Sequence, residues 1–242
     1  MLVHLALVWA PISAEAATPE QVVAQVAEIA PMREIRVQKS APLITEAEVL
    51  KVANGTPIAS VQAGTNKAYG AAVIPLPIAL LWAAINDETR HPGYTAVEYS
   101  ELLSGSPCRD GRRVLQYLPV PIPMVSDRWW IGVLNGNSAL YQQSGGSVRE
   151  LYWKSSVDPT EVKTDSGKRI LESAVPIASS SGAWFLVALD ERSTWAEYYV
   201  RTDPGEGVPS SVASKFAAKG VRETMDAIVR FAQTGNPSCP VK

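Results

Sequence analysis

The sequence predicts an α+β domain in which one long antiparallel sheet is covered by a single amphipathic C-terminal helix. Three observations point there. Between Tyr94 and Thr202, strand-like runs recur at short intervals, separated by clusters of Gly, Pro, Asn, Asp and Ser, as in antiparallel meanders rather than βαβ units. After Val208 the apolar residues return at helical spacing. Of the 242 residues, 46% are hydrophobic, enough for the core of one domain of ordinary size.

The elements follow in order. Thr18-Pro19-Glu20 supplies an N-cap with proline at the first helical position, and Val22, Val26 and Ile29 continue at helical spacing to Pro31. Thr45 and Glu48 form a capping box ahead of Val49, Leu50 and Val52, and Gly55-Thr56-Pro57 ends that helix. From Pro57 to Pro77 the chain alternates and is rich in Ala, Val and Gly, which predicts two strands turned at Asn66-Lys67. Pro77 then opens a helix that buries Leu81, Trp82 and Ile85 and stops at Asn86-Asp87.

Strands are predicted over Tyr94 to Leu103, Arg112 to Leu118, Arg128 to Leu134, Ala139 to Gln143, Val148 to Lys154, Lys168 to Val175, Trp184 to Leu189 and Thr194 to Thr202. The last element enters at Val208-Pro209-Ser210 and carries Val212, Phe216, Val221, Met225, Ile228 and Ala232. Its spacing slips at Lys219-Gly220, predicting a short helix, a break, and a longer helix to Gly235. An amphipathic helix must bury its stripe, and the sheet is the surface available.

The charges exclude several classes of function. With 22 basic and 24 acidic residues and no basic run, the chain lacks the footprint of a nucleic-acid binder. His4 and His91 are its two histidines, and His4 lies in an apolar N-terminal run expected to be cleaved off, so a two-His iron site is not expected, and no Gly-x-Ser-x-Gly elbow is present. No cofactor is expected.

Met1 to Trp9 is a short apolar run, followed by Ser13-Ala14-Glu15-Ala16-Ala17. This is the pattern of a secretory leader cleaved after Ala16 or Ala17, although a basic n-region is missing. The expected organisation is a leader over 1–17, an N-terminal helical segment over 18–54, the main domain over 55–235 and a tail over 236–242, in a secreted or periplasmic protein. No later stretch approaches the roughly 20 apolar residues of a membrane span. In an oxidising compartment Cys108, in a polar turn, and Cys239, in the tail, either pair as a staple or stay as two solvent-facing thiols; the staple is favoured.

Two stretches resemble the START family of lipid-binding domains, in the wider helix-grip superfamily. Val120-Pro-Ile-Pro-Met-Val-Ser-Asp-Arg128, with Trp129 and Trp130, is similar to the family's Pro-x-Pro segment leading into an Arg-containing aromatic strand. Asp203-Pro-Gly-Glu-Gly-Val-Pro209 is similar to the turn before the family's last helix, and Pro77 to Tyr94 resembles its helix-and-loop feeding the next strand. The likeness runs from about Gly55 to about Ala232. It departs at Val125, an extra residue, and at Trp129, where the family commonly has an acid. The acidic partner that some members place on the preceding strand falls nearest Tyr117.

The resemblance implies a helix-grip fold, a curved sheet wrapped around the C-terminal helix, with one apolar molecule in the cavity between them: a lipid, a sterol-like molecule or a fatty acyl chain. Arg128, Trp130, Gly132 and Leu134 share one strand face by alternation, and the resemblance makes that face the inner one. Trp82, Tyr117, Trp184, Tyr198, Val200, Phe216, Met225 and Ile228 complete the candidate lining. For each apolar residue, ordinary core packing is the simpler role. For Arg128 it is a structural arginine satisfied by carbonyls or Asp127.

Tyr198 and Val200 are read as inward, leaving Glu197, Tyr199 and Arg201 on the solvent side. The polar run from Ser155 to Gly167 reads as a surface connector. The expected protein is a non-enzymatic, monomeric lipid binder, with room for transient contact with a membrane. The alternatives are an enzyme of the same superfamily, cyclase- or dehydratase-like, using Tyr, Arg and carboxylates, and a protein-interaction module.

Overall fold

A computed structural model describes residues 17–62, 65–156, 158–205, 207–208 and 210–240, with 210–216 as backbone only. The leader expected over 1–17 falls almost wholly outside the described residues, as does Pro209; so does the side chain of Phe216.

Three short helices begin the chain: α1 (Pro19–Glu28), α2 (Ala30–Arg33) and α3 (Glu46–Ala53). Thr18 and Thr45 close reciprocal capping boxes with Gln21 and Glu48, satisfying end N–H groups that would otherwise face solvent alone. Strands β1 (Ile58–Val61) and β2 (Lys67–Ile74) follow, then α4 (Ile78–Ile85) and a 3₁₀ turn over Glu88–Arg90. The remaining strands are β3 (Tyr99–Ser104), β4 (Arg112–Leu118), β5 (Arg128–Gly136), β6 (Val148–Ser156), β7 (Val175–Pro176), β8 (Ser179–Ala188) and β9 (Thr194–Asp203). Helices α5 (Ser138–Gln143) and α6 (Asp165–Ser173) interrupt them, and α7 (Ser210–Thr234) closes the chain.

The strands form one sheet in the order β1-β2-β9-β8-β6-β5-β4-β3, antiparallel throughout, with β7 added in parallel against the start of β5. The sheet curls around α7, joining residues of β2, β4, β5, β6, β8 and β9 in one core with Val221, Met225, Ile228 and Phe231. The opposite face has two separate covers. Helices α1 and α3 pack over Ala71, Phe185, Val187 and Trp195, whereas the segment around α6 packs over Leu115, Trp129 and Ile131.

The structure corrects three expected elements. Ala139 to Gln143 is helical, because the Asn137 side chain accepts from the Leu140 N–H (3.1 Å) and starts a turn there. Lys168 to Val175 is mostly α6, capped by Thr164 accepting from Gly167 N–H (3.0 Å), with β7 reduced to two residues. The final helix does not break at Gly220. The helix runs unbroken from Ser210 to Thr234, and an interior glycine costs only about 1 kcal/mol relative to alanine, too little to terminate it.

Glu197 and Tyr199 do lie on the face away from α7, but solvent does not reach that part of the sheet. Glu197 is buried and binds both Arg33 and Arg36, and the Tyr199 hydroxyl meets Ser40 Oγ at 3.0 Å. Arg201 is exposed.

The two cysteines form a disulfide, with Cα atoms 5.6 Å apart and a sequence separation of 131. It fastens the tail beside the β3–β4 turn. Ser238 adds two hydrogen bonds to Asp87 at 2.7 and 2.8 Å, and Arg90 donates to the carbonyls of Gly235 and Asn236.

Candidate functional site

The face of the sheet toward α7 can be read row by row from its register. One row runs Leu134, Trp153, Gly182, Val200, Ala68 and Val61 across six strands. Toward the start of β5 the next rows are Val114, Gly132 and Ser155, then Gln116 and Trp130. In the other direction Leu151, Trp184, Tyr198 and Gly70 stand abreast.

These rows differ in closure. Leu151, Trp184, Leu186 and Ala196 are buried beneath the C-terminal half of α7, which delivers Met225 and Ile228 into the same closed core. Trp130, Trp153, Tyr198, Val200 and Val61 are only half-buried. The loosely covered apolar surface is therefore the stretch nearer the first turns of α7, and that is the candidate chamber.

Local sequence explains its floor. A Cβ at Gly182 would stand 2.2 Å from Trp153 Cζ2, so only glycine lets that indole lie across the strand. Trp153 thereby stacks on Tyr198 at 5.8 Å between ring centroids, and Tyr198 meets Trp184 at 4.5 Å. The indole N–H donates to Ser180 Oγ (3.4 Å). Gly132 leaves room of its own, since among the described residues a Cβ there would meet only Leu134 Cδ1, at 3.4 Å. Trp153 and Gly182 are absent from the residues expected from sequence. A lone glycine beside a small-residue run was the available signal, but the predicted strand began after it.

The remaining candidates are placed as follows. Tyr117 is not part of this face: it pairs with Trp129, on the side covered by α6. The period-two alternation puts Gln116 toward α7 instead. Trp82 packs at the other end of β5, where its ring would lie 3.7 Å from a Cβ on Gly136 and Arg149 sits 5.7 Å above it. Gly136 is six residues from Trp130, about 20 Å along a strand, so Trp82 belongs to the closed end.

Arg128 is on the α7 face and buried, but its guanidinium is held by main-chain oxygens. Nε donates to the Pro204 carbonyl (2.8 Å), and Nη1 donates to the carbonyls of Ser126 and Asp127. The structural role is therefore the one realised. Asp127 turns away, accepting from the Tyr117 hydroxyl (2.5 Å) and Val120 N–H (2.8 Å). That bond to Asp127 raises the Tyr117 phenol to about 12 and, with the Val120 N–H, holds Asp127 below its usual range.

Apart from the Arg128 guanidinium, taken up by main-chain oxygens, the chamber's polar groups among the described residues are neutral: Gln116, Ser155, Ser180, Thr202 and the Tyr198 phenol. Burial pushes that phenol well above its usual value, against a smaller opposing effect from a hydrogen bond with Thr224. His91 lies elsewhere, beside Phe231, donating from Nε2 to the Ala84 carbonyl (2.9 Å). Burial depresses its pKa, with Glu88, the Ala84 carbonyl and Asp87 pulling the other way. Among the described residues no cluster of His, Cys, Asp or Glu is arranged to hold a metal, and no helix is long and apolar enough to cross a membrane.

No family model and no curated protein matches the chain. Solved structures do. Human STARD10 superposes with a TM-score of 0.59 at 11% identity, covering 93% of this chain and 83% of that one. A STAR-related lipid transfer protein from Xanthomonas axonopodis gives 0.57 at 17% identity, covering 74% and 93%. Human StAR-related lipid transfer protein 5 gives 0.56 at 12% identity, covering 90% and 97%. With a curled antiparallel sheet gripping one long C-terminal helix, this chain has the START-like, helix-grip fold.

Proposed function

We propose that the protein binds one lipid, or another apolar molecule of similar size, between the sheet and the first half of α7, and does no chemistry on it. The observation that carries this reading is the half-buried apolar surface of Trp130, Trp153, Tyr198 and Val200, cleared by Gly132 and Gly182, directly beside a well-packed core. Such a surface lowers its free energy by meeting an apolar ligand. The fold is shared with proteins named for lipid transfer, which supports the same reading. Binding is favoured over catalysis because the polar groups at the chamber are neutral hydroxyls, amides and indoles rather than a paired acid and base.

Mass spectrometry of an organic extract from the purified protein tests this. A stoichiometric co-purifying lipid supports the proposal. A protein that emerges empty and takes up no sterol, hopanoid, fatty acid or phospholipid overturns it.

We further propose that the protein acts as a monomer outside the cytoplasm, released from its leader after Ala16 or Ala17. The Cys108–Cys239 disulfide supports an oxidising compartment. Intact mass of the protein recovered from its native cell tests the cleavage site, and a retained Met1 in the functional pool refutes it.

A further inference from the structure

Strand β6 leaves the sheet after Ser156, and its ladder with β8 already ends at Lys154 and Ser181. Beyond that point Ser179 and Ser180 pair with β9 alone. The separation opens a notch of about 410 Å³, whose walls include Lys154, Ser155, Ser156, Ser179, Ser181 and Arg201.

The chemistry of these walls is one-sided. Lys154, Ser181 and Arg201 are cross-strand partners in a single row on the face opposite α7, so both cations flank a hydroxyl. Among the described residues neither cation has an ion pair or a side-chain hydrogen bond, and no carboxylate lines the notch. The acid nearest in register, Asp203, turns its Oδ1 to the Gly205 N–H (3.0 Å).

The serines reinforce the bias. Ser156 Oγ accepts from Arg113 Nη2 (3.2 Å) and from Asp158 N–H (3.3 Å), which occupies its lone pairs and leaves its O–H to donate. Ser155 Oγ accepts from Ser180 N–H (2.7 Å), leaving a second donor. The notch is thus a cradle of hydrogen-bond donors and positive charge. It also adjoins the chamber: Ser155 pairs with Gly132, and Ser180 holds the Trp153 indole N–H.

We propose that the notch binds a phosphate-type oxyanion, carried as the head group of an amphiphile whose apolar part occupies the chamber. A tetrahedral anion uses several donors at once, and charge-assisted bonds to Lys and Arg are the strong ones. The proposal rests on the chamber reading above and specifies the class of molecule it holds.

The test compares labelled phosphatidic acid with diacylglycerol of the same acyl chains, using the wild type and a Lys154→Gln/Arg201→Gln variant. Both substituted residues are exposed, so the variant folds, and its melting temperature checks this. The wild type should prefer phosphatidic acid by about tenfold, a preference the variant loses while keeping its affinity for diacylglycerol. Equal affinity in the wild type, or a preference surviving in the variant, overturns the anion site and leaves the chamber reading intact.

Inorganic phosphate serves as the second probe. If it raises the melting temperature of the wild type alone while neither lipid binds, the oxyanion site stands with a free anion as its source, and the chamber reading fails. Binding of neither lipid and no response to phosphate overturn both.

Discussion

Arg128 Nε stands 2.8 Å from the carbonyl oxygen of Pro204, so the first residue of β5 holds the turn that delivers the chain into α7. Both ends of α7 are thereby secured to the sheet side of the molecule, this one by hydrogen bonds and the other by the disulfide that follows it.

Replacing Arg128 by Met should leave the carbonyls of Ser126, Asp127 and Pro204 without their donor in a buried site. The expected loss is about 2–4 kcal/mol, read by urea unfolding. Arg128→Lys should recover little of it, because one ammonium cannot reproduce the planar fork. A Lys variant as stable as wild type would show that charge alone matters there.

Gly132→Trp should fill the chamber floor. Among the described residues only Leu134 Cδ1 lies near a Cβ at this position, so the variant should fold with native circular dichroism and lose lipid uptake. Undiminished binding by a folded variant would move the chamber off this strand.

Glu197 ties the N-terminal segment to the sheet and should make folding acid-sensitive. Burial raises its carboxyl, but Arg36 and Arg33 outweigh that and hold it below the usual glutamate range. A carboxylate depressed in the folded state contributes stability that is complete above its unfolded pKa and lost as pH falls through the folded one. Glu197→Gln should remove this acid-range loss while lowering stability at neutral pH by about 3 kcal/mol, since two buried guanidinium groups lose their counter-charge. Denaturant midpoints measured across pH test both halves of the prediction. His91, buried neutral, contributes a separate loss that begins as pH falls toward 6.5, and it should persist in the Glu197 variant.

Thiol titration of the denatured, unreduced protein should find no free thiol. Cys239→Ser should cost about 5 kcal/mol, the chain-entropy value for a loop of this size. Two reactive thiols would reject the bond.

The architecture was legible because it rests on periodicity. The capping threonines, the alternation of Arg128 to Leu134 and the helical spacing from Val221 to Ala232 all carry short-range signals. The errors lie where local signals compete. Leu140 and Tyr141 look strand-like until Asn137 is recognised as a cap, and Thr164 likewise starts α6 where Ile170 and Leu171 look strand-like. Tyr117 was assigned by its likeness to a position in the family, whereas register pairs it with Trp129 and sends it outward. Long-range pairing leaves no period at all. Arg33 and Arg36 reach Glu197 across more than half the chain, and Trp153 depends on a glycine of the next strand.

The bond between Cys108 and Cys239 also makes the second half of the molecule topologically a ring, with the chain from α1 through β3 as a long N-terminal arm. Strands β4 to β9, the segment bearing the notch and the whole of α7 lie inside that ring. One proteolytic cut anywhere within it opens the circle without releasing a fragment, so a nicked molecule gains only the mass of the water added until it is reduced. Damage to the connector between β6 and α6 therefore leaves the gripping sheet and its helix in one covalent piece.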